Sequence, residues 1–112
     1  MTRTRIKICG ITREEDLDAA LAAGADAIGF VFYPKSPRAL TPLRAAELAR
    51  RVPPFVSRVG LFVNEDEDTV AATMEIVPLE VLQFHGDEDA AYCAEFGKPW
   101  IKAARVKSGL DL

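Results

Sequence analysis

The chain has 112 residues, 49% hydrophobic and 28% charged, which is typical of a globular domain or part of one and excludes a disordered chain. A formal charge of −3 provides no basic surface for nucleic acid, and no apolar run approaches the ~20 residues of a membrane-spanning helix. The two cysteines, the single histidine and the signal-free N-terminus fit neither a disulfide framework nor a structural zinc site, and they predict a cytoplasmic protein with free thiols.

Short apolar runs rich in β-branched residues alternate with helical stretches along the chain. Five runs are predicted to be strands: residues 5–9, 27–32, 56–63, 81–84 and 100–106. The predicted N-caps of the four helices between them are Thr12 in a capping box with Glu15, Thr41 followed by Pro42, Asn64 or Asp66, and Asp87. The first, second and fourth helices are predicted to extend to Gly24, Arg51 and Gly97.

This β-α alternation predicts parallel strands covered by helices, either in an open doubly wound sheet or in a (β/α)8 barrel. The turn after the first strand has one glycine, Gly10, which disfavours a dinucleotide-binding sheet but leaves a flavodoxin-like sheet open. Because a barrel takes ~250 residues, we expect residues 1–112 to be the N-terminal part of a single barrel domain, supplying five strands and four helices. The missing C-terminal half, needed for closure, would come from the same chain or from another.

Alternation along the strands sorts their side chains between the two faces of the sheet. Ile6, Ile8, Leu82 and Phe84 are predicted to face the helices. The side chains predicted to face the barrel interior are Lys7, Cys9, Gln83, His85 and, by the same parity, Lys102. Active sites of parallel α/β folds lie at the carboxyl ends of the strands, so these residues are candidates for a site.

Cys9 is the candidate for chemistry. An ammonium group such as that of Lys7 favours a nearby thiolate, and a thiolate is a competent base or nucleophile. The alternative is that Cys9 is a small buried apolar residue, as most free cysteines are. For Cys93, which lies among alanines in the fourth helix, the packing interpretation is preferred.

Two further side chains have both a functional and a structural interpretation. His85 is either an acid, base or hydrogen-bond donor toward a substrate, or a structural histidine at a strand end. Arg38, in the loop after the second strand, is either a ligand for an anionic group or a solvated loop residue. The acidic run Glu65-Asp66-Glu67-Asp68 is interpreted as charge that complements a helix dipole.

Several segments together resemble the phosphoribosylanthranilate isomerase family, in family order and over nearly the whole chain. They are Lys7-Ile8-Cys9-Gly10-Ile11-Thr12, Gly29-Phe30-Val31-Phe32, Ser36-Pro37-Arg38, Val59-Gly60-Leu61-Phe62-Val63-Asn64 and Leu82-Gln83-Phe84-His85-Gly86. The resemblance implies an enzyme of tryptophan biosynthesis that needs neither cofactor nor metal. Its substrate would be the small molecule N-(5-phosphoribosyl)anthranilate, and an Amadori rearrangement would yield 1-(2-carboxyphenylamino)-1-deoxyribulose 5-phosphate.

The resemblance also assigns roles to residues. Cys9 would be the general base and Arg38 would meet the anthranilate carboxylate, while Lys7, Gln83 and His85 would shape the substrate site. The family's general acid is an aspartate that ends the sixth strand, and its phosphate-binding loops follow strands seven and eight. We therefore expect these 112 residues alone to lack catalysis and to bind substrate weakly at best; Asp111, after the fifth strand, is no candidate for the acid.

Other functions remain as alternatives. An indole-glycerol-phosphate synthase would use lysines on early strands, which Lys7 keeps open, whereas the metal-binding histidines of a ribulose-phosphate epimerase fit poorly with one histidine. A non-catalytic half-barrel that binds a phosphorylated ligand or a partner is the alternative from a different class.

Overall fold

The computed structural model describes residues 4–103 as five strands alternating with four helices. The strands are β1 Lys7–Cys9, β2 Ala27–Val31, β3 Ser57–Phe62, β4 Val81–Phe84 and β5 Trp100–Lys102. The helices are α1 Glu14–Ala22, α2 Pro42–Ala49, α3 Glu67–Ile76 and α4 Ala90–Ala94. All nine elements fall within the segments expected from the sequence. The last strand ends at Lys102, and residues 104–106 of its expected span, like Asp111, lie outside the described residues.

The five strands form one parallel sheet in the order β1-β2-β3-β4-β5. In a flavodoxin-like sheet the order in which successive strands are added reverses at a switch point, so the first strand lies in the interior of the sheet. Here each strand is instead added beside the preceding one, as in a barrel. The barrel prediction is therefore confirmed, and the open-sheet alternative is wrong.

The hydrophobic core lies between the sheet and its helices. Ile28, Phe30, Leu82 and Phe84 are fully buried on the helix side of their strands, as alternation predicts. Aromatic rings continue this core: Phe62 stacks on Phe32 with ring centroids 5.2 Å apart, and a further group surrounds Phe84. This layer fixes the helix side of the sheet and leaves the opposite side for the candidate site.

The sheet is strongly curved toward its inner face. Lys7 in β1 donates a hydrogen bond from Nζ to Oε1 of Gln83 in β4. In a flat sheet these strands would lie three spacings, or about 14 Å, apart, which is too far for the two side chains to meet. The contact therefore requires the curvature of a barrel wall.

Two of the predicted helix caps form as expected. Thr41 caps α2 by accepting a hydrogen bond from the Arg44 N–H at 3.2 Å, with Pro42 in the first turn. For α3, where two caps were possible, Asp66 accepts from the Thr69 N–H at 3.1 Å. The acidic residues that follow Asp66 lie in the first turn, as their interpretation as dipole-complementing charge requires.

The other two cap predictions are wrong. Arg13 rather than Thr12 is the N-cap of α1 and makes no side-chain capping bond, while Glu15 lies 3.6 Å from the Arg13 guanidinium instead of reaching back to position 12. Asp89 rather than Asp87 caps α4, through a 2.8 Å bond from the Tyr92 N–H. The Asp87 backbone N–H is bound to the Asn64 side chain, so position 87 belongs to a loop.

The two edges of the sheet are exposed in the part of the chain that the structure describes. β1 and β5 each pair on one side only, as expected from an incomplete barrel. Large apolar side chains lie exposed on these strands or beside them: Ile6, Ile8, Trp100 and Ile101. Among residues 4–103, no helix is both long enough and apolar enough to span a membrane.

Candidate active site

A cavity of about 440 Å³ opens on the inner face of the sheet at the carboxyl ends of the strands. Three of the residues singled out from the sequence line it: Cys9 at the end of β1, Arg38 in the β2–α2 loop and His85 directly after β4. They are brought together from three segments up to 76 positions apart. The remaining lining residues are Gly10, Val31, Tyr33, Ser36, Leu61, Val63 and Ala103.

The Cys9 thiol is exposed to this cavity and packs against a glycine in the next strand. A Cβ added at Gly29 would lie 2.6 Å from Cys9 Sγ, far inside contact distance. Gly29 pairs with Cys9 in the β1–β2 register, so its missing side chain makes the room that the thiol occupies. Within residues 4–103 Cys9 is therefore exposed rather than buried, whereas Cys93 is fully buried in α4, as its packing interpretation requires.

Arg38 reaches the cavity because its loop folds back on the end of β2. The Leu40 N–H donates to the Val31 carbonyl at 2.8 Å, and the Ser36 hydroxyl accepts from the Arg38 N–H at 3.1 Å. The arginine stem then lies against Gly10, where an added Cβ would come within 2.4 Å of Arg38 Cδ. Gly10 has φ +82, so its backbone conformation also favours glycine.

Lys7, Gln83 and His85 form one hydrogen-bonded line on the inner face. The Lys7 ammonium donates to Gln83 Oε1, and Gln83 Nε2 lies 2.6 Å from His85 Nε2. Gln83 is buried, and His85 is half-buried at the cavity wall. Of the five residues predicted to form the site, Cys9, Arg38 and His85 thus line the cavity, and Lys7 and Gln83 are linked to it through His85.

The prediction that Lys102 faces the barrel interior is wrong. The β4–β5 register pairs Lys102 with Phe84, which belongs to the helix side, and places Ile101 beside Gln83 on the inner side. The Lys102 ammonium instead donates to the Gly86 carbonyl and to Glu88, at 2.8 Å from Oε1. A shift of one position along a strand exchanges the two faces, which is why the parity of β5 was misjudged.

Glu88 joins the ends of three strands and was not singled out from the sequence. Its carboxylate is 3% exposed and accepts bonds from the N–H groups of Asn64 and Gly86, at 2.7 and 2.9 Å, as well as from Lys102. Burial opposes its ionisation, but these bonds outweigh that effect and hold the pKa of the Glu88 carboxyl below its usual value. The loop that carries His85 is thereby tied to its neighbours.

Sequence reasoning also gave too little weight to two glycines and to the polar residues of the β2–α2 loop. Gly10 and Gly29 were treated as turn or motif residues, although they give space to Arg38 and Cys9. A glycine inside an apolar strand signals close approach of another group, so the signal at Gly29 was present. Tyr33 and Ser36 precede Arg38 in the same loop and line the same cavity.

A sequentially ordered parallel sheet with a cavity over its strand ends defines a protein of the (β/α)8-barrel class. A family model described as N-(5'-phosphoribosyl)anthranilate (PRA) isomerase matches residues 6–112. The chain therefore belongs to the phosphoribosylanthranilate isomerase family.

Individual relatives agree with this membership. The chain is 68% identical over 110 residues to the N-(5'-phosphoribosyl)anthranilate isomerase of Dechloromonas aromatica, covering 98% of this chain and 53% of that protein. It is 58% identical over 112 residues to the isomerase of Acidithiobacillus ferrooxidans, covering 100% and 55%. The chain thus spans about half the length of the curated relatives it matches.

Solved structures show the same likeness in three dimensions. A phosphoribosyl anthranilate isomerase in complex with reduced 1-(o-carboxyphenylamino)-1-deoxyribulose 5-phosphate matches with a TM-score of 0.89 and 43% identity, over 94% of this chain and 55% of that one. The enzyme from Thermotoga maritima matches with a TM-score of 0.85 and 43% identity, over 89% and 50%. The described strands and helices therefore correspond to about half of a family barrel.

Proposed function

We propose that this chain supplies the base-bearing half of a phosphoribosylanthranilate isomerase of tryptophan biosynthesis. The reaction is the Amadori rearrangement of N-(5-phosphoribosyl)anthranilate to 1-(2-carboxyphenylamino)-1-deoxyribulose 5-phosphate. The observation that carries the proposal is the shared cavity of Cys9 and Arg38, at the strand ends of a chain that belongs to this family. A solved relative that matches the chain holds a reduced form of that product.

Cys9 is the proposed general base. Once the ribose ring has opened to a Schiff base, the thiolate removes the proton from C2′, and the electron pair of that C–H bond forms the enolamine. The enolamine then tautomerises to the ketone. The exposed position of Cys9 at the cavity supports this role, since a base must reach the carbon whose proton it takes. The aspartate that protonates the ring oxygen in the family follows a sixth strand, beyond the strands described here.

Arg38 is the proposed ligand of the anthranilate carboxylate. A guanidinium group can bind a carboxylate through two parallel hydrogen bonds, which fixes both the position and the orientation of the ring. The backbone bonds that hold the Arg38 loop against β2 support such a role, because they place the group before the substrate arrives. Lys7, Gln83 and His85 would form the neighbouring wall, no cofactor or metal would be needed, and the location would be cytoplasmic.

The proposal is tested in a protein that we call the completed barrel. It consists of residues 1–112 followed by the part of the Dechloromonas aromatica relative that lies beyond its match to this chain. We expect isomerase activity from the completed barrel and a loss of about 10²–10⁴-fold in kcat for Cys9→Ala, the usual contribution of a positioned acid or base. The fluorescence or absorbance change of the anthranilate group follows the reaction.

Cys93→Ala is the matched control, because it removes the same atom from a cysteine buried in α4. This variant should lose some stability and keep its kcat. A Cys9→Ala variant that retains the parent rate would show that the thiol is not the base. The same assay on residues 1–112 alone tests the expected lack of catalysis, and near-normal turnover would contradict it.

The alternative functions make different predictions for the same protein. Membership of the isomerase family favours this reaction over the synthase and epimerase chemistries. A folded but inactive completed barrel that still binds a phosphorylated ligand would instead support the non-catalytic binding module.

A further inference from the structure

The line Lys7–Gln83–His85 has a fixed direction because its first member can only donate hydrogen bonds. A lysine ammonium has three N–H donors and no acceptor, so the atom of Gln83 that faces Lys7 must be the carbonyl oxygen, Oε1. The amide nitrogen of Gln83 then points the other way, toward His85. If the amide were turned over, two donors would face each other at Lys7.

This direction determines which nitrogen of His85 carries a proton. Gln83 Nε2 also has only donors to offer, and it lies 2.6 Å from His85 Nε2. The ring nitrogen at that position must therefore accept, and an accepting nitrogen carries no hydrogen. A neutral imidazole has one N–H, so the proton lies on Nδ1.

Within the part of the chain that the structure describes, the groups named here around His85 disfavour the doubly protonated ring as well. An imidazolium would direct a second N–H at the Gln83 amide, which is buried and has little access to water that could separate the two donors. The charged groups around it add to this effect: Lys7 lies beyond Gln83 on β1, and Arg38 lines the same cavity from the β2–α2 loop. The other titratable groups among the lining residues named above are Tyr33 and Cys9, and Cys9 becomes negative when it acts as a base.

We propose that Lys7 and Gln83 are positioning residues that hold His85 as the neutral tautomer protonated at Nδ1, so that this ring is not the base of the cavity. A ring in this state has no lone pair available for a substrate proton, because Nε2 is occupied by Gln83 and Nδ1 is already protonated. It is a hydrogen-bond donor only. The statement that His85 is not the base rests on the proposed function, because it leaves Cys9 as the base. The assignment of the tautomer does not rest on it.

The tautomer is measured by ¹⁵N NMR of the imidazole nitrogens in the 112-residue chain. His85 is the sole histidine of the sequence, so a ¹⁵N-histidine label reports on this ring alone. We expect a protonated, pyrrole-type shift at Nδ1 and an unprotonated, pyridine-type shift at Nε2 at pH 7. Protonation at Nε2, protonation of both nitrogens, or the averaged shifts of a free imidazole would overturn the proposal.

Two variants test the direction of the line. Gln83→Glu replaces the amide with a carboxylate that can accept from both neighbours, and it should move the ring proton to Nε2. Lys7→Met releases Oε1 and lets the amide turn over, so it should give a mixture of tautomers. Lys98→Met removes the same charge in the turn before β5, at the opposite end of the strands, and should leave the spectrum unchanged.

Either variant is sufficient if the other fails to fold, since each changes a different member of the line. An Nδ1–H tautomer that persists in a folded Gln83→Glu or Lys7→Met protein would show that the positioning is not exerted by these residues. The spectra do not depend on turnover. An inactive completed barrel with the expected spectra would therefore contradict the proposed function while leaving the tautomer assignment intact.

Discussion

The Cys9 thiol and the Gly29 backbone occupy adjacent space on the inner face of the sheet. Gly29→Ala would place a methyl group 2.6 Å from Sγ and 3.2 Å from the Cys9 Cα, so both the thiol and β1 must shift. We expect this overpacking to lower the free energy of unfolding by about 1–3 kcal/mol. Because the methyl group also covers one side of the sulfur, alkylation of Cys9 by iodoacetamide should become slower. Cys93 is buried and does not contribute to native-state labelling.

Gly60→Ala provides the matched control for this substitution. Its added Cβ would meet Leu79 Cδ1 at the same distance, 2.6 Å, but on the helix side of the sheet. We expect a similar loss of stability from Gly60→Ala and no change in the alkylation rate. Equal alkylation rates in the parent and in Gly29→Ala would show that position 29 does not shape the surroundings of the thiol.

The sequence predicted which side chains share the inner face of the sheet more completely than it predicted how they interact. Alternation along β1 and β4 was sufficient to place Lys7, Cys9, Gln83 and His85 on one face of the sheet. The other face is marked by fully buried side chains, which lie on β4 itself and on the strand that pairs with β1. The bond from Lys7 to Gln83 could not be predicted, since it depends on the curvature of the sheet. Local sequence patterns carry no information about that curvature.

At the scale of secondary-structure elements, Glu88 links the ends of β3, β4 and β5 through one carboxylate. Glu88→Gln removes the charge and replaces one acceptor oxygen with a donor. We expect this to lower the free energy of unfolding by about 1–3 kcal/mol at pH 7, since buried partners lose their bonds. Urea unfolding of the two proteins measures the difference.

The pH dependence of this difference has a definite sign. The folded-state pKa of Glu88 is lowered, so its contribution to stability is complete above the usual glutamate pKa of about 4.3 and is lost as the pH falls through the folded-state value. The gap between parent and Glu88→Gln should therefore narrow below about pH 4. Glu75→Gln, at an exposed position of α3, should stay within about 0.5 kcal/mol of the parent. A gap that is constant from pH 7 to about pH 3 would contradict the role of the ionised carboxylate.

Helix starts were predicted correctly where the local cap had no competing partner. Thr41 caps α2 as predicted, with Pro42 beside it. At the predicted cap of α1, in contrast, the Thr12 carbonyl accepts a hydrogen bond from Arg44, which also forms an ion pair with Glu14 at 2.8 Å. Because of these contacts with α2, helix α1 begins one residue later than predicted. In the same way, the hydrogen bond from the Asp87 N–H to the Asn64 side chain keeps Asp87 from acting as the N-cap of α4. In each case a residue distant in sequence decided between neighbouring caps.

At the scale of the whole molecule, the strand order followed from the sequence because alternating strands and helices with short connections leave few arrangements. The same reasoning identifies where the described half-barrel is incomplete. Ile8 on β1 is 36% exposed, although its register partner Ile28 on β2 is fully buried on the same side of the sheet. This difference arises from the position of β1 at an edge, and it would disappear once further elements cover that edge.

Matched substitutions at these two positions measure how much the missing coverage contributes. Ile28→Ala should cost about 2–5 kcal/mol in both the 112-residue chain and the completed barrel, because its site is buried in each. Ile8→Ala should cost clearly less in the chain and reach that same range in the completed barrel, where burial of the side chain adds the transfer and cavity contributions. Denaturant unfolding of the four variants gives the comparison. If Ile8→Ala has the same effect in both proteins, the added half does not cover β1, and the edge described here is a genuine surface of the folded protein.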